Sequence, residues 1–170
     1  ETGFGVTAGT LATGDYVEAT VTGTITNVTT GGVPNVISAI KVYHGTGADK
    51  TEVTENYNIT PANGTLNITA AAIAITADSD TKTYDGTALT KNSYTKLGDF
   101  VGEQGFDTVT VEGSQLYVGE GANKITAYTL KSGTLATNYN ITRNDGTLTV
   151  TDANIAVTVK ADNASRAYNG

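Results

Sequence analysis

The sequence predicts an all-β protein made of two tandem, small β-sandwich-like repeat domains arranged as a rod. Three observations predict this architecture. Threonine supplies 33 of the 170 residues and glycine another 20, a composition that suits half-solvated strands and tight turns. Apolar and polar residues alternate with a period of two in several segments, and no extended segment shows a clean helical period. Blocks of sequence also recur at a fixed spacing, which is typical of repeat proteins.

The repeat spacing is 82 residues. Three blocks recur at this spacing: residues 56–60 at 138–142, residues 63–69 at 145–151, and residues 73–76 at 155–158. The spacing predicts a first unit over 1–72 that lacks its opening strand and a complete second unit over 73–154. It also predicts that 155–170 is the opening strand of a third, truncated unit.

The strands are expected in the following order, with seven or eight in each unit. Val17 and Val21 belong to a segment of the first unit in which apolar and polar residues alternate. Residues 37–42 are more continuously apolar, which favours a central strand. In the second unit, residues 73–76 and 108–111 alternate in the same way. Three dipeptides are expected to close tight turns at positive φ: Asn63-Gly64, Asp85-Gly86 and Asp145-Gly146.

A sandwich of two small sheets is the first expectation for each unit, and a β-grasp-like unit is the alternative. The alternative requires one helix, for which Thr87–Leu97 is the available segment, and its composition disfavours a helix. The joints at 69–72 and 151–154 contain neither Gly nor Pro. Short joints of this kind indicate stiff head-to-tail connections.

Composition argues against several function classes. The chain has no Cys, so it has no disulfide and no cysteine metal site, and no apolar run is long enough for a transmembrane helix. A net charge of −7 argues against a nucleic-acid partner. His44 is the single histidine, which leaves a catalytic triad or zinc site without support. We therefore expect no enzyme and no cofactor, with Asp99 and Glu103 as a weak glycosidase-like alternative.

A candidate ligand-binding loop lies in the segment where the first unit is longer than the second. Its candidate residues are Tyr43, His44, Asp49 and Lys50, because binding specificity often resides in variable loops on a repeated scaffold. The alternative for His44 is an ordinary solvated loop histidine. A second set is expected to be structural, with turn and core roles that recur in each unit: Tyr84, Asp85, Gly86, Asn138 and Tyr139.

The residue types would allow two further chemistries. Several acidic side chains could supply oxygen ligands to Ca²⁺, namely Asp78, Asp80, Asp85, Asp99 and Glu103, but no known calcium-loop spacing is present and a solvated acidic face is expected. A Lys–Asn isopeptide bond would join Lys82 or Lys124 to Asn138 or Asn140. The first unit has no matching lysine, so a cross-link that recurs with the repeat is not favoured.

Several of these segments together resemble MBG-type repeats of the YGX or YDG class. The resemblance lies in Ile73–Gly86 with its Tyr-Asp-Gly, in Asn138–Thr142 and in Asp145–Val150. Such repeats occur in tandem in large bacterial cell-surface adhesins. The resemblance implies an extracellular module at the bacterial surface, which we expect to be monomeric within a longer array. Net charge and the absence of a long apolar run, rather than the resemblance, argue against nucleic-acid binding and membrane insertion.

The resemblance also implies a function. The module would serve as a stalk and would bind a host mucin or glycan. One alternative is a binder of a host secreted or surface protein, such as an immunoglobulin or receptor, through a β edge or the loop at 42–55. The other alternative is a pure structural spacer.

Overall fold

The computed structural model describes residues 3–170 and confirms the all-β prediction. Strands make up 43% of the residues, and helical structure in the described part is confined to short 3-10 turns at Gly47–Asp49, Thr54–Asn56 and Ala136–Asn138. Residue contacts divide the chain into two compact units. Unit 1 comprises residues up to Ala72 together with Gly133–Asn140, and unit 2 comprises Ile73–Ser132 together with Ile141–Gly170.

Unit 1 is built on one long hairpin. Its strands are β1 (Asp15–Thr22), β2 (Val33–His44), β3 (Thr51–Glu52) and β4 (Gly64–Leu66). β2 is central, as its apolar sequence predicted, and pairs antiparallel with β1, β3 and β4. A bulge between Thr20 and Val21 shifts the β1–β2 register, and Val42 on β2 is fully buried.

Unit 2 contains two sheets. Its strands are β5 (Ala71–Ala77), β6 (Asp80–Thr83), β7 (Tyr94–Leu97), β8 (Phe106–Glu112), β9 (Gly119–Leu130), β10 (Tyr139–Asn144) and β11 (Gly146–Thr151). One sheet has the order β10-β5-β7 and the other has the order β6-β11-β9-β8. All pairs for which a register is known are antiparallel except β6 and β11, which run parallel.

The core of unit 2 lies between these two sheets. Ile75 and Ala77 of β5 pack against Val111 and Ile125 of the other sheet, and all four are buried. Three partly buried aromatic and aliphatic side chains pack against this cluster: Phe106, Val109 and Tyr128. A second buried cluster is formed by Leu89, Leu148 and Val150. Alternation along β5, β8 and β11 therefore directs one face of each strand inward.

A buried amide links the two sheets of unit 2. Asn123 on β9 is fully buried, and its side-chain nitrogen donates to the carbonyl oxygens of Asp78 and Lys91 at 2.8 Å each. Its register partner on β11 is Gly146, whose backbone approaches β5 so closely that an added Cβ would lie 2.3 Å from the Ala77 carbonyl oxygen. Only glycine fits at this position, because any side chain would collide with the Ala77 carbonyl.

The structure corrects the expectation for the Gly turns. Gly86 has φ of 83°, as expected for a turn glycine. Gly64 and Gly146 instead begin strands β4 and β11 and do not have positive φ. The Asn-Gly and Asp-Gly dipeptides signal a turn locally, but the need for glycine at Gly146 arises from a neighbour distant in sequence.

The strand number of unit 1 and the chain end differ from expectation, whereas the strand number of unit 2 agrees with it. Unit 2 has seven strands, whereas four are described in unit 1. Residues 155–170 contain no strand, and the side chains of Ile155, Val157 and Val159 are 76%, 79% and 90% exposed. The physical reason is that no strand within the described residues lies alongside this segment, and a single strand is not stable in water. Thr87–Leu97 holds a β-bridge at Leu89 and strand β7, so the helix of a β-grasp unit is not formed there.

Candidate functional site

A polar cluster closes one end of the β1–β2 hairpin. Asp15 and His44 are register partners, and His44 Nδ1 lies 2.5 Å from Asp15 Oδ1. Tyr57 donates its hydroxyl to Asp15 Oδ2 at 2.5 Å and accepts the Ala12 N–H at 3.0 Å. The Asp15 side chain is 7% exposed, whereas that of His44 is 59% exposed.

The electrostatics of this cluster favour an ionised Asp15. The hydrogen bond from Tyr57, and then the contact with His44, lower the pKa of the Asp15 carboxyl. The same carboxylate raises the pKa of the Tyr57 hydroxyl. The cluster joins the start of β1, the end of β2 and the segment at Tyr57. Its contacts orient the imidazole of His44 and hold three chain segments together.

A second cluster lies on the opposite face of the hairpin. Lys50 Nζ is 2.7 Å from Glu18 Oε1 and 4.0 Å from the centre of the Tyr43 ring, and the rings of Tyr43 and Tyr16 lie 5.9 Å apart. Glu18 raises the pKa of Lys50. Lys50 therefore makes both an ion pair and a cation–π contact with this face.

The predicted loop residues are not brought into one site. Tyr43 and His44 are consecutive on β2, so their side chains point to opposite faces of the strand. Lys50 joins Tyr43, and Asp49 lies exposed in the 3-10 turn Gly47–Asp49. Asp15, the partner of His44, and Tyr57, which donates its hydroxyl to Asp15, were missed. The residue types gave no signal for this contact, because the pairing of Asp15 with His44 depends on the bulge between Thr20 and Val21.

An apolar groove of about 450 Å³ lies within unit 1. Its floor is the inner face of the hairpin, formed by Val17, Ala19, Ile37, Ile40 and Val42, and its two sides are residues 4–11 and 57–62. The two segments that form the sides have no regular secondary structure and make no strand pairs. Sequence reasoning did not predict this groove. The missing opening strand of the first unit was the available signal.

The Tyr-Asp-Gly motif forms a polar turn. Asp85 Oδ1 accepts hydrogen bonds from Lys82 Nζ at 2.7 Å and from the Thr87 N–H and hydroxyl at 2.9 and 2.8 Å. Lys82 and Thr87 together hold the pKa of Asp85 far below its usual range. The Tyr84 N–H donates to the Thr151 carbonyl at 2.8 Å, which fixes the turn against the end of β11.

Asn138 and Tyr139 make contacts that stabilise the fold. Asn138 Oδ1 accepts the Val28 N–H, and its amide nitrogen donates to Asn27 Oδ1, each at 2.8 Å. Tyr139 begins β10 and is buried. The contacts of Asn138 order the loop at Asn27 and Val28. Residues 133–140 are grouped with unit 1.

Several of the candidate cross-link and calcium residues have other partners. Lys82 pairs with Asp85, and Lys124 Nζ lies 3.8 Å from Asp145. Asp78 accepts the Ser93 hydroxyl at 2.6 Å. Over residues 3–170, no three acidic or histidine side chains form a group that could hold a metal ion.

The chain matches no protein-family model, and no curated protein or solved structure is significantly similar to it. None of the helical turns in the described part of the chain is long and apolar enough to span a membrane.

Proposed function

We propose that this chain is a tandem-repeat module of a bacterial cell-surface adhesin, acting outside the cell as a non-enzymatic stalk that also binds mucin or glycan. The observation that carries the proposal is a shared internal plan in the two units. β2 and β9 are both 12 residues long, and each pairs with a preceding strand through a bulge, at Thr20/Val21 and at Thr110/Val111.

Further correspondences support a repeated unit. The 3-10 turns Thr54–Asn56 and Ala136–Asn138 are 82 residues apart, and each is followed by a Tyr. Asn35 pairs in register with Gly64, as Asn123 pairs with Gly146. In both amides Oδ1 is buried, and an added Cβ on the preceding glycine, Gly23 or Gly113, would collide with it. Packing alone would rarely bury an amide at the same register position twice, so its recurrence supports a repeated unit.

Pulling single molecules from both ends tests the stalk. If each unit is an independent mechanical element, two unfolding events are expected, which release about 245 Å for the 72 residues of the first unit and about 280 Å for the 82 residues of the second, at roughly 3.4 Å per residue. One event that releases the whole chain at once would contradict two repeated elements.

The glycan-binding part of the proposal is supported by an exposed aromatic residue. Tyr117 is 69% exposed and is flanked by Val118, which is 59% exposed. Tyr can stack on a sugar ring and donate its hydroxyl. Mucins, a glycan array and host secreted proteins should therefore be passed over the immobilised chain and over Tyr117→Ala. Glycan binding that Tyr117→Ala removes supports the proposal. Binding to a host protein alone would favour the alternative partner class, and no binding would leave the pure spacer.

A further inference from the structure

The outer face of the β1–β2 hairpin carries two tyrosines side by side. Tyr16 and Tyr43 are register partners, and their ring centres lie 5.9 Å apart with an angle of 33° between the ring planes. Both residues are partly exposed. Because side chains alternate along a strand, they lie on the face opposite Val17 and Val42, which line the groove. The hairpin therefore has an apolar inner face and an aromatic outer face.

Two ion pairs flank the tyrosines on this outer face. Lys50 Nζ lies 2.7 Å from Glu18 Oε1, and Lys41 Nζ lies 2.7 Å from Glu52 Oε2. The four side chains are between 32% and 53% exposed. An ammonium has three donor hydrogens and a carboxylate has about four acceptor positions, so each pair keeps donors and acceptors that solvent can reach. The face therefore offers both kinds of hydrogen-bonding group while its charges cancel.

Unit 2 has the same hairpin plan with a different outer face. The pair of residues next but one before the bulge is Glu18–Lys41 in unit 1 and Thr108–Thr129 in unit 2, where the two hydroxyls lie 2.7 Å apart. Phe106, the aromatic residue before this pair, packs against the core of unit 2. The hairpin of unit 2 thus forms without rings or charges at this place, and exposed ion pairs add little to stability. The outer face of unit 1 is therefore free to serve a ligand.

The chemistry of this face favours a neutral saccharide. A sugar ring has an apolar C–H face that packs on a tyrosine ring, and it has hydroxyls that both donate and accept hydrogen bonds. A sialylated or sulfated glycan would bring negative charge to a face on which each ammonium already has a carboxylate partner, in a chain of net charge −7. Such a glycan would have to displace those carboxylates, whereas a neutral sugar leaves both ion pairs intact.

We propose that the outer face of the β1–β2 hairpin binds a neutral oligosaccharide, with one sugar ring stacked on Tyr16. Lys50 Nζ lies 4.0 Å from the centre of the Tyr43 ring and covers it, so Tyr16 provides the stacking surface. The Lys50–Glu18 ion pair forms hydrogen bonds with hydroxyls of the same sugar. The inference rests on the glycan-binding function and the repeat correspondence proposed above, and it adds a site in unit 1 to that of Tyr117 in unit 2.

The Tyr117→Ala protein tests this face by itself, because its unit 2 site is removed. It is passed over an array that presents each neutral oligosaccharide beside its terminally sialylated form. We expect it to retain neutral oligosaccharides and to bind their sialylated forms at least about threefold more weakly. The retained sugar is then titrated into the protein in solution, where we expect a Kd of about 1 mM and amide NMR shifts at residues 16–18 and 41–43.

Further substitutions in the Tyr117→Ala protein assign the contact. Tyr16→Ala should weaken binding of the neutral sugar at least about tenfold, whereas Tyr16→Phe keeps the ring and should bind within about twofold of its parent. Glu18→Thr combined with Lys41→Thr gives unit 1 the pair that unit 2 has, so this protein should fold and yet bind at least about threefold more weakly. Thr108→Ala is the matched control on unit 2 and should leave this binding unchanged.

Three results would overturn the inference. The first is a Tyr117→Ala protein that binds no neutral oligosaccharide at about 10 mM. If the wild type binds glycans in the same assay, only the unit 1 site fails, whereas a wild type that binds none would overturn the glycan-binding function as well. The second is binding that Tyr16→Ala does not weaken although the amide spectrum shows a folded protein. The third is tighter binding of the sialylated forms, which would identify a site for anions.

Discussion

Substituting Gly146 by alanine should destabilise unit 2 strongly, whereas the same change at Gly64 should be tolerated. A Cβ on Gly146 would lie 2.3 Å from the Ala77 carbonyl oxygen, 2.8 Å from that of Asp78 and 2.9 Å from the Ala77 carbonyl carbon. All three atoms belong to the backbone, so no side chain can rotate to make room. A Cβ on Gly64 would instead lie 3.6 Å from Asn35 Cβ, an ordinary contact.

The magnitude follows from the displacement needed. To restore a normal contact, β11 and β5 must separate by roughly 1 Å, and a gap of that size forfeits a quarter to a half of each dispersion contact across it. Leu148 and Val150 are fully buried on the same strand and would lose part of their packing. We expect a loss of about 3 kcal/mol in the free energy of unfolding for Gly146→Ala, at the upper end for overpacked cores.

For Gly64→Ala we expect a change within about 1 kcal/mol, since Gly64 is exposed and alanine also restricts the unfolded chain. Urea titration followed by residue-resolved amide NMR reports each unit separately, which matters because a two-unit chain need not unfold in one step. With a slope of about 1 kcal/mol per molar urea, Gly146→Ala should lower the unit 2 midpoint by about 3 M and leave unit 1 unchanged. Equal effects of the two substitutions, or a Gly146→Ala midpoint within about 0.5 M of wild type, would refute the reasoning.

Substitutions at four other residues have defined outcomes. Asn123→Leu leaves the part-buried carbonyls of Asp78 and Lys91 without this donor and should cost about 2–4 kcal/mol in the urea stability of unit 2, with Asn35→Leu as the unit 1 comparison. The pKa of Asp15 is lowered by folding, so its contribution to stability is present above the unfolded-state pKa and is lost as pH falls through the folded-state pKa. Asp15→Asn should therefore flatten the fall in unit 1 melting temperature below about pH 4, and Tyr57→Phe should raise the Asp15 pKa in a carboxyl NMR titration. Lys50→Met should change unit 1 stability by less than about 1 kcal/mol in urea, because its ion pair is on the surface.

Much of the strand framework follows from the sequence. Period-two alternation located β1, β5 and β8, and the continuous apolar run at 37–42 identified the central strand. These predictions succeed because the inward face of a strand is recorded in consecutive residues. Contacts between distant residues leave no such local record, so the closeness of Gly146 to Ala77 and the bonds of Asn123 were not predicted.

The polar cluster at the hairpin end shows why register limits prediction. From Thr22 opposite Val36, uninterrupted pairing would place Asp15 opposite Tyr43. The bulge between Thr20 and Val21 shifts the pairing by one residue and places Asp15 opposite His44 instead. A shift of one residue also exchanges the faces on which partners meet. The position of a bulge depends on cross-strand packing, so the Asp15–His44 contact could not be derived from alternation alone.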